Sequence, residues 1–228
     1  ATDTPTNNFC TMNPLDNFYA ESTFSQGNCY IVTDNSNYTA NTATFGLSAG
    51  KWYWEITERA HSSANDFQIG VTPAVATASA ANPGSALGYI VDAWAYMSNP
   101  GNKMQENSSS SYGDSYTDDD VVGVALDLDN NKLYFAKNNT WQDSGDPTSG
   151  ATGTGAISLT ATPLNGVWFP AAGDLGSSEI VTYEANFGGV VTNALSSAAS
   201  DADGYGNFEF APPSGYFALC TKNLAEYG

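Results

Sequence analysis

Basic residues are scarce in this chain. Six Lys and Arg stand against 24 Asp and Glu over 228 residues, a formal net charge of −18. Nucleic-acid binding needs Lys and Arg to displace counterions from phosphates, so the balance argues against it. It argues equally against docking on anionic lipid. Charged residues of both signs make up only 13%, so the surface has to be built from Asn, Ser, Thr and Gly. Such an acidic surface is tolerable at high ionic strength, where repulsion is screened, and a salty habitat is the expectation. There is no apolar run long enough to cross a membrane and no visible signal peptide. The chain starts at Ala1 rather than Met, which suggests processing, trimming or excision from something longer.

Histidine and cysteine are almost missing. His61 is the single histidine. It sits in AHSSAND, between two expected strands, with no nucleophile motif beside it, so an exposed loop histidine is expected and a hydrolytic triad is not. Cys10, Cys29 and Cys220 are too few and too odd in number for a disulfide framework. With His61 they give no zinc-ligand spacing. They read as small buried thiols, with one pairing, Cys10–Cys220, left open because chain ends often lie close together.

The acidic residues show no catalytic pattern either. A glucanase-like sandwich presents closely alternating carboxylates from one strand. No Glu-x-Asp-x-x-Glu strand exists here, and Glu179 and Glu184 are five apart, hence on opposite faces of a strand. The GATGTG run at 150–155 lacks the strand-to-helix context of a phosphate loop. Asp201-Ala202-Asp203-Gly204 resembles a calcium-loop fragment without its later ligands. Asp118-Asp119-Asp120 reads as a solvated turn. The sequence therefore points to no catalytic residue, no metal ligand and no cofactor.

What is present is alternation. Hydrophobic residues are 41% and aromatics 13%, enough for a globular chain with a real core. Residues 119–141 read as two strands and a tight turn. Val124, Leu126 and Leu128 alternate with Ala125, Asp127 and Asp129, and Leu133 and Phe135 resume the pattern after Asn130-Asn131. Asn tolerates positive φ, so a two-residue type I′ loop is expected, with Asp129 facing Lys132, Leu128 facing Leu133 and Leu126 facing Phe135. Trp52, Trp54 and Ile56 share a core face, while Tyr53, Glu55 and Thr57 share the other. Further strands are expected at 28–33, 42–47, 67–71, 89–97, 166–171 and 180–187, and at 208–210 and 216–220, where the chain closes the fold.

Between these runs the chain is polar. Residues 1–27 suit an ordered arm anchored by Phe9, Met12, Leu15 and Phe18. The Ala-rich stretch 73–88 holds at most a short helical turn, and 190–199 suits a short helix. Residues 98–118 and 142–162 read as long polar loops. Short strands with Gly- and Asn-rich turns imply an all-β, two-sheet antiparallel β-sandwich, with 1–228 as a single domain.

Gly50-Lys51-Trp52-Tyr53-Trp54-Glu55-Ile56 resembles the early strand of SPRY domains, and Ile69-Gly70-Val71 the strand after it. Asp120-Val121-Val122-Gly123-Val124-Ala125-Leu126-Asp127 with Leu133-Tyr134-Phe135-Ala136-Lys137-Asn138 resembles the central SPRY hairpin. Trp168-Phe169-Pro170-Ala171 and Ala185-Asn186-Phe187-Gly188 resemble its last two strands. The resemblance spans residues 41–188 in order and implies a concanavalin-like jelly roll. The flanks around residues 5–15 and 213–224 look like segments that border SPRY-like domains in bacteriophage proteins, many from marine phages. That similarity implies a virion setting: a non-enzymatic tail-fibre, decoration or appendage module, with other virion proteins, copies of itself, or a host-surface glycan or protein as partners. A carbohydrate-active enzyme and an intracellular peptide-binding module are the alternatives. No binding residue carries over from animal SPRY domains. From composition alone, Tyr112 and Tyr116, set among Ser, Asn and Gly, are the expected recognition residues, because tyrosine offers flat contact area at low entropy cost.

Overall fold

The computed structural model describes residues 3–17, 22–34, 37–63, 66–73, 86–176 and 178–228. The anchor Phe18 and most of the Ala-rich stretch, residues 74–85, lie outside them. Two antiparallel sheets pack face to face, as the alternation implies. The larger contains, in spatial order, β1 (Thr23–Ser25), β2 (Tyr30–Val32), β14 (Val181–Asn186), β4 (Lys51–His61), β9 (Val121–Asp127), β10 (Lys132–Lys137) and β11 (Thr140–Trp141). Strand β12 (Ile157–Ser158) also pairs with β10, and β15 (Phe217–Ala218) runs parallel to β4. The second sheet is ordered β3 (Asn41–Thr42), β13 (Phe169–Asp174), β5 (Phe67–Thr72), β6 (Trp94–Met97), β7 (Asn102–Gln105) and β8 (Ser108–Ser111).

The core lies where the alternation puts it. Trp52, Trp54, Ile69, Val124, Leu126 and Phe135 are fully buried in one cluster, and Leu128 packs on its edge. The opposite face of β4 is covered as well. Tyr53, Ala125 and Tyr134 are covered by Phe9, Phe208, Tyr216, Ala218 and Cys220 from the two flanks, which form a second apolar layer on the outside of the larger sheet. Glu55 and Thr57 are buried with them.

The central hairpin differs from expectation by two residues. Lys132 pairs with Asp127, Leu133 with Leu126 and Phe135 with Val124, so the loop has four residues, 128–131, instead of two. Because side chains alternate with period two, a two-residue shift keeps every apolar side chain on its face. Asp127 supports the longer loop: its carboxylate accepts from the Asn130 N–H at 2.9 Å and from Asn130 Nδ2 at 2.8 Å. It also pairs with Lys51 at 3.0 Å. Asn131 does take positive φ, +54°.

Other expectations need correction. Residues 98–118 hold the β7–β8 hairpin; a run of serines carries no alternation to announce it. Residues 190–199 form no helix, whereas Thr221–Tyr227 form helix α1. Leu15 is 87% exposed, because the Asn13 side chain accepts from the Leu15 N–H and turns that residue outward. Asp16 is the buried residue of that turn and accepts from the Thr42 hydroxyl. The chain ends do meet, through the Phe9–Cys220 bridge and the Cys10 N–H to Leu219 carbonyl bond of 2.9 Å. All three thiols are nevertheless free and buried. Cys10 faces the main core while Cys220 faces the outer layer, so the sheet backbone separates them.

Candidate interaction surface and the acidic rim

Tyr112 and Tyr116, expected as recognition residues of a surface loop, are instead buried. Both rings sit in the core beside Tyr96 and Phe135, with Tyr96–Tyr116 centroids 5.0 Å apart and Tyr112–Phe135 centroids 6.0 Å apart. The Tyr116 hydroxyl lies 2.9 Å from the Tyr96 carbonyl and 3.1 Å from the Phe67 carbonyl, donating to this pair. The Tyr112 hydroxyl accepts from the Phe135 N–H at 3.2 Å. Burial pushes both phenols above their usual range. These tyrosines fasten the 98–118 segment to the sandwich.

The fastened segment presents another surface. Ser108–Ser111 of β8 are all exposed, and β8 is the terminal strand of its sheet among the described residues. A terminal strand has one row of unpaired backbone N–H and C=O groups, a template for a further strand. Its position is fixed by four paired residues on β7 and by an Asn102 Nδ2 to Ser109 Oγ bond of 2.9 Å.

A second feature lies at one end of β4. The register against β14 shifts between Tyr183, opposite Glu58, and Thr182, opposite Ala60, so Arg59 is the extra residue of a β-bulge. In a regular strand Glu58 and His61 would point to opposite faces. The bulge brings them together, with His61 Nδ1 3.1 Å from Glu58 Oε1. The turn before β9 docks on the same place. The Asp119 N–H donates to the Glu58 carbonyl at 2.7 Å, and Asp118 Oδ1 lies 2.8 Å from His61 Nδ1. The three aspartates of that turn therefore have three different partners: Asp118 meets His61, Asp119 meets Arg59 at 2.7 Å, and Asp120 meets Lys137 at 3.0 Å. Glu58 is fully buried, and burial, then the charges of Asp118, Glu179 and Asp120, push its carboxyl up to about 8. Nothing in the sequence around His61 announces a bulge, so this grouping could not be read from residue spacing.

Further along β4 a crevice of about 60 Å³ opens between Glu55, Arg59, Glu184, Asn186 and Asn193. It has room for a few waters rather than a substrate ring. Its carboxylates are engaged. Glu184 pairs with Arg59 at 2.7 Å and accepts from Asn193. Glu55 accepts from the Glu209 and Phe210 N–H groups at 2.8 Å each and from the Tyr53 hydroxyl at 3.0 Å. Burial raises its carboxyl to about 7 despite those donors. The arrangement locks the C-terminal flank onto the sheet. Asp201, read as a calcium-loop fragment, is likewise a clamp, accepting from four protein donors. A wider groove of about 380 Å³ runs between the flanks, lined by Thr6, Asn7, Phe9, Tyr205, Asn207 and Lys222.

Comparison with known proteins bears on these surfaces. The SPRY domain family model matches residues 51–161, from β4 through β12. No curated protein matches the sequence. The crystal structure of the SPRY domain of human HERC1 is similar with a TM-score of 0.59 at 13% identity, over 80% of this chain and 99% of that one. Stonustoxin is similar with a TM-score of 0.53 at 20% identity, over 78% of this chain and 27% of that one. At such identities the likeness is one of fold, the two-sheet antiparallel sandwich.

Proposed function

We propose that residues 1–228 act as one non-enzymatic SPRY-type protein-interaction module, carried on a bacteriophage virion, that takes a partner polypeptide along the free edge of β8. SPRY domains are typically modules of protein interaction, which favours a protein partner over a catalytic role. The observation that carries the reading is the exposed Ser108–Ser111 edge on a segment fastened by buried Tyr112 and Tyr116. A rigid edge adds a strand at low ordering cost on the module's side, and main-chain bonds then supply affinity. The virion setting rests on the flank resemblance, and repetition on a particle would convert weak single contacts into avidity. The partner is a second virion protein, another copy of the chain, or a host-surface protein.

Selection of a random-peptide display library on the immobilised chain tests the edge. Recovered peptides should lose at least ten-fold in affinity for Ser109→Lys plus Ser110→Lys, since charge on an edge strand discourages pairing. Equal affinity would remove the edge from the reading. Antibody labelling of intact particles tests the setting separately: unlabelled virions would sink the virion role and leave the module.

A glycan-binding reading has one specific support, the groove with Tyr205 between Asn7 and Asn207. An aromatic face flanked by amides suits a sugar. Calorimetry with laminarin, agarose and alginate checks it; heat that survives Tyr205→Ala, or no heat at all, would refute it.

A further inference from the structure

Glu58, His61 and Asp118 bring one ligand atom each to within 4.8 Å of one another. Two carboxylates converge on a single ring nitrogen, with separations of 3.1 and 2.8 Å. That nitrogen carries at most one hydrogen and cannot satisfy both. Glu58 is the decisive residue. Its side chain is completely buried, and neither carboxylate oxygen has a hydrogen-bond partner. A buried carboxyl without donors stays neutral unless a cation or a metal ion stabilises its charge. The basic side chains at hand are committed elsewhere: Arg59 turns to Asp119 and Glu184, and Lys137 to Asp120.

We propose that Glu58, His61 and Asp118 form a binding site for a divalent transition-metal ion of the zinc class. An imidazole with two carboxylates suits zinc and its neighbours, whereas calcium and magnesium prefer oxygen alone. Metal–ligand bonds of about 2.0–2.2 Å set tetrahedral ligand atoms about 3.3–3.6 Å apart, so the two nitrogen–oxygen separations, 3.1 and 2.8 Å, need only open by a few tenths of an ångström. Asp118 and His61 reach solvent, with side-chain exposures of 48% and 21%, which gives the ion an entry path and a position for water. The bulge at Arg59 gains a purpose: it turns an i, i+3 pair of a strand into two ligands on one face, and the Asp118 turn supplies the third. The ion would tie that turn to the end of β4.

Chelator-treated protein titrated with Co²⁺ and with Zn²⁺ provides the test. One equivalent should bind, with visible Co²⁺ absorption of a nitrogen- and oxygen-ligated site, and Zn²⁺ should raise the melting temperature. Glu58→Gln, His61→Ala and Asp118→Asn should each weaken binding at least ten-fold, while Asp92→Asn and Glu226→Gln leave it unchanged. Glu58→Gln keeps the shape of the buried side chain, and His61 ends its strand, so circular dichroism should report intact folds. No saturable binding, or binding untouched by these three substitutions, would overturn the site and assign any metal uptake to the acidic surface at large.

Discussion

The Tyr116 hydroxyl lies 2.9 Å from the carbonyl of Tyr96, deep between the sheets. One phenol thus ties the segment leading into β9 to the edge of β6. Tyr116→Phe keeps the ring and removes the donor, leaving buried carbonyls without that bond. The cost should be about 1–3 kcal/mol. Tyr116→Ala adds a cavity and should cost about 3–5 kcal/mol. Urea melts check both, and a Phe variant as stable as the parent would show that water replaces the hydroxyl.

The four-residue loop of the central hairpin makes its own demand. Asn131 sits at φ +54°, where a β-branched side chain is strained and glycine is not. Asn131→Val should cost about 1–2 kcal/mol, and Asn131→Gly should be neutral or stabilising. Asp127→Ala should be worse than either, because it removes both bonds to Asn130 and leaves Lys51 unpaired. Thermal denaturation ranks the three; a harmless Val would contradict the left-handed turn. In the core beneath, Leu126→Ala should cost about 2–5 kcal/mol.

Much of this architecture is legible in the residues themselves, and the failures have physical causes. Trp52, Trp54, Leu126 and Phe135 are found because alternation reports which side faces in. The hairpin register slipped by two without penalty because alternation cannot distinguish positions two apart; only the side-chain bonds of Asp127 separate the loops. Strand β8 was invisible because Ser108–Ser111 have no polar–apolar contrast. The polar neighbours of Tyr112 and Tyr116 suggest exposure, yet their own rings are apolar and pack in the core beside Tyr96 and Phe135. Nothing local to β4 says what covers its outer face, because the flanks that do so are distant in sequence. Glu58 and His61 meet only through a bulge, a backbone event that residue spacing does not encode.

Burial of acids sets the pH response. Asp174 is raised from 3.8 to about 7 and Glu55 from 4.5 to about 7, in each case chiefly by burial. Between the unfolded and folded values the folded state binds more protons, so the stability these groups contribute is full below about pH 4 and is lost as pH rises through 7. Lowering the pH from 8 to 5.5 should therefore raise the urea midpoint. The same change relieves repulsion in a chain of net charge −18. Asp174→Asn with Glu55→Gln should flatten the rise. An identical slope in the double variant would exclude these two carboxyls as its source.

Asp201 holds the C-terminal flank. Its Oδ1 accepts from the Asp203 N–H at 3.0 Å and the Tyr205 N–H at 2.8 Å, while Oδ2 accepts from the Ala218 N–H at 2.9 Å and from Asn223 Nδ2 at 2.8 Å. One buried carboxylate therefore joins the 201–205 turn, β15 and helix α1. Helix α1 has seven residues, too short to persist alone, so its order depends on this anchor. Asp201→Asn presents an amide N–H₂ where an acceptor stood and faces donors with a donor. About two charge-assisted bonds are lost, each contributing about 1.5–3 kcal/mol. The loss should be regional. Amide exchange should accelerate across residues 201–228 while β9 and β10, tied into the main core by Leu126 and Phe135, keep their protection. Exchange that quickens equally in β9 and β10 would mean that the flank and the sandwich unfold as one unit, and unchanged exchange throughout would mean that the carboxylate holds nothing.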